Sequence, residues 1–322
     1  MKINLSSFLQ LRFNIYLCRL IGWKIAFYYI VFLGKIYFFF NRKERSKITK
    51  ALQTVFGNLK HQSEIRAIID DVFLGIIFHY YEKFFNVYST PERLRTFFEI
   101  HTKNKGLDAI EQGLSKGKGV LLISGHYGGI ELIPTYLSAC GYPVTIVVKF
   151  KTKDLRNITA RQAENFSVKI IDPDHTPNIM KAICNDLKEN RIVITQCDEI
   201  DEWRPCRHNK TSFLGKPVYL DRTINVLSKR YGASVVFGVM HRDHHHHYEF
   251  VATSWQEMAK MFKQSKDMSI GEVVLKVMED YIYKYPQGWY QWKKYSALAT
   301  VSHAGAEVLA PPAIPVLELY PV

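Results

Sequence analysis

The chain has 322 residues, 47% of them hydrophobic and 23% charged, with a net charge of +13. That length and apolar fraction exclude a disordered or fibrous protein and allow a sizeable core in one large domain or two modest ones. Eleven lysines and arginines lie within residues 1–60 against a single acid, Glu44, so ten of the thirteen net positive charges sit there. Between them stand large aromatics such as Phe13, Tyr16, Trp23, Phe27, Phe32 and Phe38. Basic stems snorkel while rings settle at the polar boundary of a bilayer, so the mixture favours a membrane surface over nucleic acid as partner.

Taken in chain order, the first element is apolar from Ile25 to Phe40 apart from Lys35, and extending it to the roughly 20 residues of a span brings in Lys24 and Arg19. A tilted or interfacial anchoring helix is expected. No short apolar core ends in a small-residue cleavage site, so no cleaved signal peptide is expected. The cysteines, Cys18, Cys140, Cys184, Cys197 and Cys206, are odd in number and scattered. They suit a reducing compartment, which places the part that does chemistry in the cytoplasm.

Helical spacing follows over residues 47–56 and 63–81, with a break at Gly57 and Asn58. From Lys103 helices alternate with short apolar strands. Helices are predicted at 106–115, 130–139, 153–165, 178–189, 222–231 and 271–283. Strands are predicted at 119–124, 144–150, 168–171, 192–196, 234–240 and 248–253. The sum is an α/β fold with a mixed, mainly parallel central sheet flanked by helices, preceded by an anchoring helical region. The expected organisation is an anchor over 1–60, a main domain over 61–300 and an irregular, proline-containing tail over 301–322.

The segment richest in chemistry is Gly119-Val-Leu-Leu-Ile-Ser-Gly-His-Tyr-Gly-Gly-Ile-Glu131. A buried strand ends at Ser124, glycines permit a tight turn, and His126 emerges where the next helix begins. The positive end of that helix would keep the imidazole neutral and able to accept a proton. Glu131, about one turn on, would take the other ring N–H and fix the tautomer. Such a pair suits activation of a substrate hydroxyl for attack on a thioester, without an enzyme-bound acyl group. By spacing alone, a capping histidine and a surface glutamate in a glycine-rich turn account for the motif equally well.

The run from Lys105 to Glu131 resembles the lipid A biosynthesis acyltransferases, whose pattern is Gly-Lys-Gly, a strand, then Gly-His-Phe-Gly-Asn-Trp-Glu. Further blocks resemble that family in order: Arg161 with Asn165, Gln196-Cys-Asp198, Phe213-Leu-Gly215, Leu227 to Ala233, and Pro286 to Lys294. Leu33-Gly-Lys-Ile-Tyr37 and the basic stretch after it resemble the family's N-terminal region. Gly129-Ile130 stands where Asn-Trp is usual, and Lys293-Lys294 where a His-Arg-Arg cluster is common.

The resemblance implies a glycerolipid acyltransferase-like fold and an O-acyltransferase with His126 and Glu131 as catalytic pair. It implies transfer from acyl carrier protein, or another acyl thioester, to a hydroxyl of a membrane glycolipid such as a lipid A precursor. The site of action would be the cytoplasmic face of the inner membrane. Arg161, Asp198, Gly128 and Lys149 fall to substrate binding. Arg161 would clamp phosphate, Lys149 would face acidic acyl carrier protein or phosphates, and backbone N–H groups or Arg161 would steady the oxyanion. No metal or redox cofactor is implied. A lysophospholipid or other glycolipid acceptor, or a silent membrane-bound homologue, are the alternatives.

Other clusters carry less. His241 and the run from His244 to His247 alternate in direction along a hairpin and do not readily form one tetrahedral site. Cys197, Cys206 and His208 lack a fourth ligand at zinc spacing. Ser124 lacks the Gly-x-Ser-x-Gly elbow of a nucleophile.

Overall fold

Among the described residues five helices precede or adjoin the first strand: α1 (Arg12–Leu20), α2 (Gly22–Phe40), α3 (Arg42–Phe56), α4 (Gln62–Tyr88) and α5 (Pro91–His101). The structure is a computed structural model that describes residues 12–20, 22–150, 153–199, 205–243, 247–262 and 268–302. The tail, His244–His246 and the side chains of Cys206 and His208 lie outside the described residues.

α2 has two unlike faces. Ala26, Phe27, Ile30, Gly34, Tyr37 and Phe38 are buried, Phe27 against Phe78 and Tyr81 of α4, and Phe38 against Phe73. The opposite face leaves Ile25, Tyr28, Phe32, Phe39 and Phe40 exposed, as are Phe13 and Tyr16 of α1. Among the described residues α2 is long and apolar enough to cross a membrane, with 33% of its apolar window buried. α4 starts where the His61 N–H donates to Glu64 Oε2 at 3.0 Å, satisfying an otherwise orphan donor.

The chain then alternates. β1 (Thr102–Lys105), α6 (Leu107–Leu114) and β2 (Val120–Ser124) lead into a 3-10 turn at Ile130–Leu132 and α7 (Ile133–Ala139). There follow β3 (Val144–Val147), α8 (Lys153–Asn165), β4 (Lys169–Ile171), α9 (Ile179–Lys188) and β5 (Ile192–Gln196). A hairpin of β6 (Pro205–Phe213) and β7 (Lys216–Asp221) precedes α10 (Thr223–Tyr231), β8 (Ser234–Arg242), β9 (Tyr248–Ser254), α11 (Trp255–Met261) and α12 (Ile270–Lys284). Two 3-10 stretches, Pro286–Gly288 and Trp292–Ser302, close the described fold.

Among the described residues seven strands form one sheet in the order β1-β9-β8-β2-β5-β3-β4. Every neighbouring pair is parallel except β8 and β9, so the sheet is mixed and mainly parallel as its apolar, helix-alternating strands imply. β2 lies at its centre with all five residues buried. Each of its Val, Leu and Ile side chains contributes roughly 1.5–3 kcal/mol relative to exposure. One contiguous core runs from Phe27 in α2 to Leu298, so the N-terminal helices share the core of the sheet.

Candidate active site

β2 and β5 run parallel with Ser124 opposite Gln196, and the Cys197 N–H continues the ladder to the Ser124 carbonyl at 2.8 Å. Carrying that register two residues further sets His126 beside Asp198 at the carboxyl edge of the sheet, where α/β sites form. Gly125 makes the approach possible, since a Cβ there would come within 2.6 Å of Met278 Cε and 3.4 Å of Asp198 Cγ. The His126 main-chain N–H donates to both Asp198 oxygens at 3.1 and 3.0 Å, and the Nδ1 of its ring lies 2.9 Å from Oδ1. Trp289 Nε1 donates to Oδ2 at 2.7 Å.

The Asp198 side chain is fully buried and the His126 ring only 13% exposed. Burial pushes the Asp198 carboxyl up, but His126, the Trp289 N–H and the main-chain N–H outweigh it and hold the carboxyl below its ordinary value. Burial likewise pushes His126 down, and the Asp198 charge, its hydrogen bond and Glu199 overcome that, so the imidazole lies above its ordinary value. A proton on Nδ1 directed at Asp198 leaves Nε2 as the nitrogen that accepts; Nε2 lies 3.4 Å from Glu199 Oε1.

Glu131, expected on the second ring nitrogen of His126, is elsewhere. Its Oε1 lies 3.4 Å from Lys83 Nζ and 3.7 Å from His79 Nε2, and its carbonyl accepts from Asn86 Nδ2 at 2.7 Å, all on α4. The reason is the backbone between. Residues 125–129 form an irregular turn and Ile130–Leu132 a 3-10 turn, so five residues do not make one α-helical turn here. For the same reason the expected pull of a helix end on His126 gives way to the opposite influence of Asp198.

The backbone donors that follow His126 in the turn are also committed. The Tyr127 N–H donates to the Gly125 carbonyl, that of Gly128 to Gly288 at 2.8 Å, and that of Gly129 to Met240 at 2.8 Å. Gly128 has φ +53° and a Cβ there would lie 2.0 Å from the Met240 oxygen, so its part is to let the turn close against β8. Arg161 is exposed on α8, next to the buried Gln162 that donates to the Asn86 carbonyl at 2.8 Å. Lys149 pairs with Asp174 at 3.5 Å and is 57% exposed. Among the described residues no hydrogen bond or ion pair joins either cation to His126.

A model of the bacterial lipid A biosynthesis acyltransferase family matches residues 8–294, spanning the N-terminal helices, the whole sheet and the block that carries Trp289. The chain belongs to that family. It is therefore an acyltransferase of lipid A biosynthesis. No curated protein matches the chain.

In this acyltransferase several site residues come from places that the motif does not mark. His79 of α4 stacks on Tyr290, ring centroids 3.6 Å apart and 13° from parallel. The Tyr290 N–H donates to the His126 carbonyl at 3.2 Å, and its ring meets that of His126 edge-on at 5.3 Å. Burial first, then Lys83 and His126, hold His79 well below its ordinary value, so it stays neutral. The signal in α4 is three polar residues, His79, Lys83 and Asn86, at helical spacing in a run otherwise rich in aromatics. Among the described residues no three His, Cys, Asp or Glu side chains gather as metal ligands. His241 instead shares a hydrogen bond of 3.1 Å with the Tyr127 hydroxyl.

Proposed function

We propose that the acyltransferase moves a fatty acyl chain from the thioester of acyl carrier protein to a hydroxyl of a lipid A precursor, with His126 as general base and Asp198 as its orienting carboxylate. The observation that carries this reading is the His126–Asp198 pair, a buried carboxylate 2.9 Å from Nδ1 with its other oxygen held by Trp289. Nε2 of His126 takes the acceptor hydroxyl proton as that oxygen attacks the thioester carbonyl. The tetrahedral adduct collapses, the C–S bond breaks, and the imidazolium returns the proton to the departing thiolate, leaving ester and thiol.

The His126, Tyr127, Gly128 and Gly129 N–H groups are already bonded, so a cation is the better candidate for steadying the oxyanion. Lys294 stands within electrostatic reach of His126. Glu131 is proposed to tie the turn to α4 through Lys83 and His79 rather than to hold the base. Arg161, Gly128 and Lys149 are proposed in lesser parts, Gly128 as a turn former and the two cations as outer contacts for phosphate or an acidic carrier.

Membrane association is proposed through the exposed aromatic face of α1 and α2, flanked by exposed Lys24, Lys35, Arg42 and Lys43. With one face of α2 committed to α4, the helix lies along the inner membrane at its cytoplasmic side. Acyl transfer followed by mass spectrometry of the lipid product, with acyl carrier protein or coenzyme A as donor, tests the reading. His126→Ala should lower transfer by about 10²–10⁴-fold with membrane binding intact; unchanged transfer would overturn the mechanism.

A further inference from the structure

A cavity of about 200 Å³ opens between α1, α2, α4 and the start of α5. Trp23, Ala26, Ile30 and Leu33 of α2 form one wall, and Phe84 and Phe85 of α4 the other. The mouth is different in kind, with Ser89, Thr90 and Arg93, while the buried Asn14 accepts from the Tyr29 hydroxyl at 2.7 Å. With 3.6 residues per turn, Tyr81, Phe84, Phe85 and Tyr88 leave α4 on the side opposite His79, Lys83 and Asn86. The cavity is therefore separated from His126 by the thickness of that helix.

Its volume far exceeds that of a single water. An apolar interior with a polar, cationic rim matches an amphiphile with a hydrocarbon tail and an anionic head. Ile25, Tyr28 and Phe32 leave α2 on the side away from Ala26 and Ile30, so the way into the cavity is the exposed polar mouth at Thr90 and Arg93 rather than that aromatic face. We infer that this cavity takes one acyl chain of an anionic phospholipid from the bilayer, with its phosphate at Arg93, as an anchoring site apart from the catalytic pocket. The inference rests on the membrane reading of α1 and α2. A phosphodiester meets Arg93 by charge-assisted hydrogen bonds, whereas a zwitterionic head returns part of that gain through its own ammonium.

The test is native mass spectrometry of the full chain in mixed micelles with phosphatidylglycerol or phosphatidylcholine, counting lipid retained per chain. Wild type and His126→Ala should each retain one phosphatidylglycerol, in preference to phosphatidylcholine. Ala26→Phe and Leu33→Phe, which fill the cavity, should lower retention about tenfold or more while leaving acyl transfer to a detergent-dispersed acceptor within about twofold. Arg93→Gln should remove the preference between head groups. Equal retention by wild type and both filling variants, or no preference for phosphatidylglycerol in wild type, would overturn the inference. The lipid count does not depend on transfer, so failure of the His126 mechanism leaves it unchanged and the two failures stay distinct.

Discussion

Trp289 donates its indole N–H to the one oxygen of Asp198 that the His126 ring leaves open, at 2.7 Å. Trp289 is itself 1% exposed, and its ring packs on those of Phe213 and Trp292. The indole thus fixes the rotation of the carboxylate and lowers its affinity for a proton. Trp289→Phe keeps most of the packing and removes the donor. It should destabilise the fold by about 1–3 kcal/mol, the cost of a buried carboxylate oxygen losing a partner. It should also lower kcat more than it raises KM, as steady-state kinetics and thermal unfolding would register.

The pH dependence of transfer carries a sign that follows from His126. A base must be neutral to accept a proton, and the flanking Asp198 and Glu199 hold the imidazole above its ordinary value. The acidic limb of the kcat/KM profile should therefore lie above pH 6.5, with activity lost on acidification through that limb. Glu199→Gln removes one of the two negative charges and should move the limb down. A limb that moves up, or stays, would assign the titration to another group.

Gly128 and Gly129 close the turn onto β8 through Met240. Gly128→Ala meets both a positive φ and a backbone oxygen at 2.0 Å, which no rotamer change relieves. The expected outcome is a loss of about 2–4 kcal/mol, and a melting temperature several degrees lower. Activity should fall further than stability explains, because the turn also positions His126.

Beneath the site Glu82 of α4 accepts from Arg242 at 3.0 Å and from the Tyr248 hydroxyl at 2.9 Å, with the carboxylate and guanidinium both buried. Burial lifts the Glu82 carboxyl to about 7 even against the pull of Arg242 and Tyr248. Glu82→Ala leaves a buried guanidinium unpaired and should cost about 3–5 kcal/mol. Denaturant unfolding of the variant measures it.

The parts of the fold set by local pattern were legible in the sequence. The buried strand ending at Ser124, the helix over Lys153–Asn165 and the strand over Ile192–Gln196 follow directly from apolar spacing. β1 did not, because Thr-Lys-Asn-Lys carries no apolar signal and exists as a strand through its backbone bonds to β9. The polar β6–β7 hairpin and the helices α5 and α11 were missed for the same want of a long periodic run. At the site, His126 was legible from its strand-to-turn position. Asp198 was tied to the pocket only by family resemblance. Its pairing with His126 depends on the register of two strands 72 residues apart, which local sequence does not encode. The expected Glu131 contact treated residues 126–131 as helix, and the 3-10 turn redirects that side chain to α4.

The account turns on which carboxylate serves His126, and the most direct measurement is the kcat of Asp198→Asn beside that of Glu131→Gln, each with its pH profile. Asp198→Asn should lower kcat by about 10²–10⁴-fold and move the acidic limb down, since the charge that raises the imidazole is gone. Glu131→Gln should leave the limb where it is in the wild type. A limb displaced by Glu131→Gln and unmoved by Asp198→Asn would contradict the account.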